Sequence, residues 1–240
     1  MLVIGHRGFP SKAPENTIPS FFYAIKAGVD YIELDVRRSK DGTLVVIHDE
    51  TVDRTTDAKG YVSQYTVQEL RSLDAGRWFS KEYEGTRIPT FEEVLSLASD
   101  ETSVVVDIKD KGTEDAVLRS LRSFGMIEAS MIVAPPEICR KIKLSEPKIL
   151  VQADIEAFKT LVHNVSQLVR NKVDVASFKV HQVNREAVRY CHMNGLHVNV
   201  WPVNTIDDTL MCIRASADYV TTDNPQTVIT TLRKASSKRL

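Results

Sequence analysis

Cysteine is scarce: Cys139, Cys191 and Cys212 form an odd set with no CxxC spacing, each inside an apolar segment. That pattern argues against a disulfide framework or a thiolate zinc site and implies buried thiols in a reducing compartment. Long hydrophobic runs are missing too. No stretch approaches the ~20 apolar residues of a membrane span, so no stable membrane insertion is expected. The opening MLVIGHRG has four residues before its first glycine and then a His-Arg pair, leaving no room for a signal-peptide apolar region. A soluble cytoplasmic protein is the expectation. There is no surplus of either charge, since 31 Lys+Arg against 32 Asp+Glu give a formal net charge of -1. Nothing in that balance points to nucleic acid or an anionic membrane, and any anion site must be local. Internal repeats and low-complexity segments are absent, and nothing specifies an oligomeric state.

What is present is a chain of 240 residues, 42% hydrophobic, long enough to bury one large core as a single domain spanning 1-240. Short apolar runs at 2-6, 31-37, 103-108, 130-134, 149-153, 174-179, 197-202 and 219-222 read as strands, with 43-48 as the returning arm of a hairpin. Helical patterns lie between them at 17-27, 91-98, 114-124, 137-143, 156-171, 184-194, 206-214 and 225-235. Asn16 precedes the first helix as a candidate cap, and Thr90 with Glu93 forms a capping box. Eight strands separated by helices is the count of a (β/α)8 TIM barrel. A doubly wound sheet would normally carry G-x-G-x-x-G after its first strand, and GHRGFPSKAPENT does not fit it. Residues 50-89 interrupt the alternation with a polar stretch holding its own capping box, Thr66 to Glu69, and read as a small ordered insertion.

The stretch YIELDVRRSKDGTLVVIHDE, residues 31-50, poses a question: two acids and a histidine interrupt an apolar hairpin. Asp41-Gly42 reads as a two-residue type I′ turn. Lys40 then pairs with Thr43, Asp35 lies opposite His48, and Glu33 sits one diagonal step away on the same face. A loop one residue longer would put His48 on the other face.

In a barrel, the C-terminal strand ends and the loops after them converge on one mouth. They carry His6 and Arg7, Glu33 and Asp35 with His48, Asp107 and Lys109, Trp201 and Asn204, and Asp223. Three convergent carboxylates repel one another unless protonated or neutralised by a cation, and oxygen-only ligands suit Mg²⁺ or Ca²⁺ better than zinc. Two histidines can serve as an acid-base pair, while Arg7 and Lys109 supply the fixed charge a phosphate needs. Taken singly, each has a structural alternative: a strand-end histidine held by hydrogen bonds, acids paired with Arg37 or Arg38, Asn16 as a helix cap, Trp201 as a rim aromatic. All those alternatives would have to hold at once. The constellation reads as metal-assisted phosphoryl chemistry.

The segments GHRGFPSKAPENT, ELDVRRSKDGTLVVIHDETVDRTT, IPTFEEVL, DIK, VWPVN and TDNP, in this order from His6 to Pro225, resemble the glycerophosphodiester phosphodiesterases. The resemblance implies a barrel of the phospholipase C-like phosphodiesterase type. It implies hydrolysis of a small-molecule glycerophosphodiester to sn-glycerol 3-phosphate and an alcohol, with one divalent cation, Mg²⁺ or Ca²⁺ and with Mn²⁺ as a further option. Carried over, His6 and His48 are the catalytic acid and base, with His6 the favoured base. Glu33, Asp35 and Asp107 ligate the cation, and Arg7, Lys109 and Trp201 contact the substrate. Two positions depart from the family pattern: Asp107 stands where a glutamate is typical, and Pro202 where threonine is frequent. The nucleophile is either water or the substrate's own 2-hydroxyl. Two alternatives remain: a phosphodiesterase acting on lysophospholipids, which Tyr61, Tyr65, Trp78, Phe79 and Tyr83 of the insertion would favour, and a catalytically silent binding module.

Overall fold

The computed structural model describes residues 1-156 and 159-237. Its parallel strands are β1 (Leu2–Gly5), β2 (Tyr31–Arg38), β4 (Ser103–Ile108), β5 (Ser130–Val133), β6 (Leu150–Asp154), β7 (Val175–Lys179), β8 (His197–Trp201) and β9 (Tyr219–Thr222). β1 pairs with both β2 and β9, which closes these eight into a barrel, and β3 (Leu44–Val46) lies antiparallel on β2. Helices α1 (Ile18–Ala27), α3 (Phe91–Ala98), α4 (Glu114–Ser123), α5 (Pro136–Ser145), α6 (Leu161–Arg170), α7 (Arg185–Met193), α8 (Ile206–Ala215) and α9 (Pro225–Ser237) follow the strands. The expected (β/α)8 barrel is the observed architecture. Of the helix expected over 156-171, residues 157 and 158 lie outside the described residues, and α6 begins at Leu161.

Period-two alternation sorts each strand between two environments. Ile32, Leu34 and Val36 of β2, and Val104, Val106 and Ile108 of β4, belong to the apolar layer between barrel and helices. The residues between them point inward. Ile4, Val105, Met131, Val175 and Tyr219 pack with Tyr31, Val133 and Leu150 into an apolar floor. Glu33, Asp35 and Asp107, on the same inward faces, stand above that floor toward the C-terminal mouth.

The hairpin differs from expectation by one residue. Arg38 pairs with Leu44, Arg37 with Val45 and Val36 with Val46, and Ser39 N donates to Thr43 O at 2.9 Å. The loop is thus three residues, Lys40-Asp41-Gly42, with only Gly42 left-handed at φ 87°: a type I turn followed by an αL glycine. The insertion holds it in this form. Lys40 N donates to Tyr65 O at 2.8 Å, and the Asp41 carboxylate accepts from Val67 N at 3.1 Å. Asp35 consequently faces Ile47, whose N donates to Asp35 O at 3.0 Å. Had the ladder continued, His48 would point outward. Instead β3 ends at Val46, the chain peels off the sheet, and His48 turns into the mouth with its carbonyl held by Arg37 Nε at 2.9 Å.

Between β3 and α3 the chain folds around a small core of its own: Val45, Ile47, Val52, Val62, Leu70, Ala75 and Ile88. α2 (Val67–Ser72) starts with the expected Thr66–Glu69 capping box, and the Thr90–Glu93 box opens α3. Asn16 is not a helix cap: Thr17 occupies that position of α1 without a side-chain bond. None of the helices of the described residues is long and apolar enough to cross a membrane.

Candidate active site

The acidic cluster follows from register. Asp35 of β2 is the direct neighbour of Asp107 on β4, and Glu33 lies one inward step below Asp35. The three offer oxygens within 4.8 Å of one another. Burial, then the charge of Asp35, pushes the Glu33 carboxyl up to about 8. Burial likewise raises Asp107, with Lys109 opposing. At Asp35 burial is outweighed by Lys109, Arg7 and Asn16, which hold it below its usual range. Such a trio cannot carry three charges unaided. An all-oxygen donor set under this strain suits a hard divalent cation, and Asp107 reaches the cluster despite being one methylene shorter than glutamate.

Asn16 is what fixes Asp35. Its Nδ2 donates to Asp35 Oδ2 at 2.7 Å and its Oδ1 accepts from Asp35 N at 3.2 Å. To do so Asn16 adopts a left-handed φ of 57°, and Arg7 one of 51°, conformations that cost non-glycine residues energy and cluster at functional sites. Between them, Gly8 at φ 90° passes so close to α1 that a Cβ would lie 2.6 Å from the Ser20 carbonyl carbon.

Each histidine is backed by a carboxylate. His6 Nδ1 lies 2.7 Å from Asp223 Oδ1, and Asp223 is held by Asn204 Nδ2 at 2.7 Å. Burial disfavours the charged imidazole of His6, but Asp223 and Glu33 outweigh it and raise its pKa. His48 Nδ1 lies 2.6 Å from Asp49 Oδ1. A carboxylate on Nδ1 fixes the tautomer and leaves Nε2 of both rings to the cavity.

Two fixed cations share the mouth. Lys109 Nζ stands 2.6 Å from Asp107 and 3.0 Å from Asp35, and the Arg7 guanidinium contacts Asp35 at 3.2 Å and Glu15 at 2.7 Å. Behind them, Arg54 of the insertion donates two bonds to Glu15, at 2.9 and 2.8 Å. It donates two more to Asp49, at 2.7 and 3.1 Å.

A single cavity of about 170 Å³ is lined by His6, Arg7, Glu33, Asp35, His48, Asp107, Lys109 and Trp201. The structure thus brings around one cavity the residues that the family resemblance marks as acid-base, cation-binding and substrate-binding. Asp223 and Asn204 were noted in the sequence as strand-end residues without an assigned task. Asp49, Glu15 and Arg54 were missed, although Asp49 stands beside His48 in the HD pair. In the insertion, Tyr61 and Trp78 are exposed, while Tyr83 Oη donates to Lys12 O at 3.0 Å.

The chemistry this barrel mouth can support is that of a phosphate-ester hydrolase. Sequence comparison assigns the family: residues 6–227 match the Glycerophosphoryl diester phosphodiesterase family, and the chain belongs to it. A glycerophosphodiester phosphodiesterase of Caldanaerobacter subterraneus subsp. tengcongensis is 35% identical over 244 residues, covering 97% of this chain and 98% of the relative. A Bacillus subtilis putative glycerophosphodiester phosphodiesterase is 33% identical, covering 95% and 97%. Among solved structures, an Oleispira antarctica phosphodiesterase in complex with the product sn-glycerol-3-phosphate superposes with TM-score 0.88 at 25% identity, covering 97% of each chain.

Proposed function

We propose that this chain hydrolyses glycerophosphodiesters to sn-glycerol 3-phosphate and an alcohol, using a divalent cation held by Glu33, Asp35 and Asp107. The observation that carries the reading is the convergence, in one small cavity, of that acidic trio with two carboxylate-backed imidazoles and two fixed cations. The product named for the Oleispira structure supports the substrate class. Mg²⁺ or Ca²⁺ suits the donors, with Mn²⁺ a further candidate. When bound, the cation supplies Lewis-acid stabilisation of a non-bridging phosphate oxygen.

Arg7 and Lys109 neutralise the phosphate and the charge that grows on it in the transition state. His6 Nε2 accepts the proton of the nucleophile, and His48 Nε2 protonates the departing alkoxide. The two dyads are held differently. Asp223 is held by a neutral amide and stabilises the imidazolium that forms on His6, whereas Asp49, which orients His48, is itself bound by Arg54. Trp201 walls the cavity beside the substrate.

A second reading, turnover of lysophospholipids, rests on the exposed Tyr61 and Trp78 of the insertion. The test is release of glycerol phosphate from glycerophosphocholine, stopped by EDTA and restored by Mg²⁺, Ca²⁺ or Mn²⁺. Lysophosphatidylcholine run in parallel, with release of choline as the readout common to both substrates, decides between them, and no release from either overturns both readings.

A further inference from the structure

The wall facing the histidines carries polar groups that the proposed chemistry leaves without a task. In the ring of eight parallel strands, β6 stands opposite β1 and β7 opposite β2. Asp154 of β6 is the direct neighbour of Ser177 on β7. Alternation therefore turns Gln152, Asp154 and Ser177 inward, and all three line the cavity that holds the catalytic groups. Gln152 is 5% and Ser177 1% exposed. Yet among the described residues Gln152 Oε1 and Ser177 Oγ have no hydrogen-bond partner.

Buried side-chain oxygens are ordinarily bonded, and an orphaned one calls for an explanation. The neighbouring wall shows that this barrel does satisfy such groups where it can. Asn199 Nδ2 donates to Thr221 Oγ1 at 3.0 Å, and the two close a reciprocal pair. Gln152 and Ser177 form no such pair and face the cavity instead.

The chemistry of the orphans restricts what can meet them. An amide oxygen only accepts, so its partner must carry a hydrogen to donate, whereas a hydroxyl oxygen both donates and accepts. An uncharged alcohol satisfies both at once. A quaternary ammonium has no N–H to offer, and an acyl chain would leave both oxygens unpaired. In the proposed reaction the phosphate falls to Arg7 and Lys109, which follow β1 and β4. We propose that Gln152 and Ser177 form a hydroxyl-reading subsite that binds the glycerol moiety of the substrate and sets the preference for glycerol esters over other alkyl phosphodiesters. This rests on the proposed glycerophosphodiester hydrolysis and adds to it the residues that recognise the polyol.

The test uses the full chain with Mg²⁺ and two measurements. One is the kcat/KM ratio between glycerophosphocholine and its propane-1,2-diol analogue, which keeps the 2-hydroxyl and lacks the terminal one. The other is calorimetric affinity for sn-glycerol 3-phosphate against n-propyl phosphate. The wild type is expected to favour the glycerol compound in both, and Gln152→Leu or Ser177→Ala to lower that preference roughly 10- to 100-fold. Asn199→Ala, which disturbs the self-satisfied neighbouring pair, is expected to keep it. Ser177→Ala removes one buried oxygen and guards against failure of the bulkier change to fold, with melting curves as the control. Equal wild-type affinity for the two phosphates, or full preference retained in both subsite variants, overturns the subsite. Absence of glycerophosphocholine hydrolysis overturns the proposed reaction, and the calorimetric comparison then still decides the subsite.

Discussion

His6 and Asp223 are 217 positions apart in the chain, yet Nδ1 of one lies 2.7 Å from Oδ1 of the other. Barrel closure makes the pair: Gly5 of β1 is the direct neighbour of Thr222 on β9, so the next residue of each strand meets at the mouth. Replacing Asp223 by Asn keeps the shape but no longer fixes the tautomer or stabilises the imidazolium. Asp223→Asn is expected to lower kcat by about 10²-fold or more with KM less affected, and unchanged kcat would remove Asp223 from the proposed dyad.

The two imidazoles themselves are expected to be indispensable. His6→Ala and His48→Ala, with melting temperatures near wild type, should each cost about 10²-fold or more in turnover of glycerophosphocholine. Activity close to wild type in either variant would sink that histidine's assignment.

Cation binding is open to a readout that does not depend on turnover. Asp35→Asn and Asp107→Asn are expected to weaken Mn²⁺ or Mg²⁺ binding about 10- to 100-fold by calorimetry, with Asp35 the more damaging because Asn16 fixes it. Undiminished affinity in both would move the cation away from this trio.

Asn16 separates a structural role from a functional one. Asn16→Gly relieves the left-handed backbone but removes the amide that clamps Asp35. Lower kcat/KM together with weaker cation binding, at unchanged or higher stability, is expected. A change confined to stability would mean that Asn16 matters only to the turn.

Arg54 ties the insertion to the site and gives a pH signature. At Glu15 burial opposes ionisation, but Arg54 and Arg7 outweigh it. At Asp49 the Arg54 hydrogen bonds lead, and both carboxyls are held below their usual range. A depressed folded-state pKa contributes stability that is fully present above the unfolded value and lost as pH falls through the folded one. Arg54 is 44% exposed, so solvent screening limits the effect, and Arg54→Ala is expected to cost about 1–2 kcal/mol at pH 7. The deficit should shrink below about pH 4. Urea midpoints from pH 3 to 8 provide the check, and a deficit constant across that range would contradict the ion-pair account.

The alternation of apolar runs and helical patterns was enough to specify the barrel, because burial on both faces of a parallel strand writes itself locally as a short run of Val, Ile and Leu. The same locality made Glu33, Asp35, Asp107 and Lys109 visible as polar breaks in those runs. It also exposed both capping boxes, whose partners lie three residues apart. Local reading went wrong at Asp41-Gly42, since the turn length there is set by contacts with Tyr65 and Val67 more than twenty positions away. Pattern also could not separate Asn16 the helix cap from Asn16 the clamp on Asp35.

What the sequence by itself determined is therefore the set of elements and the residue types that end them. The tertiary structure alone decided which of those residues meet: Asp223 behind His6 through barrel closure, Arg54 across Glu15 and Asp49 through docking of the insertion, and Gln152 with Ser177 facing the histidines across the ring. The physical reason is that hydrogen bonds and ion pairs act over about 3 Å of space whatever the separation along the chain, and only the closed barrel converts strand order and register into that distance.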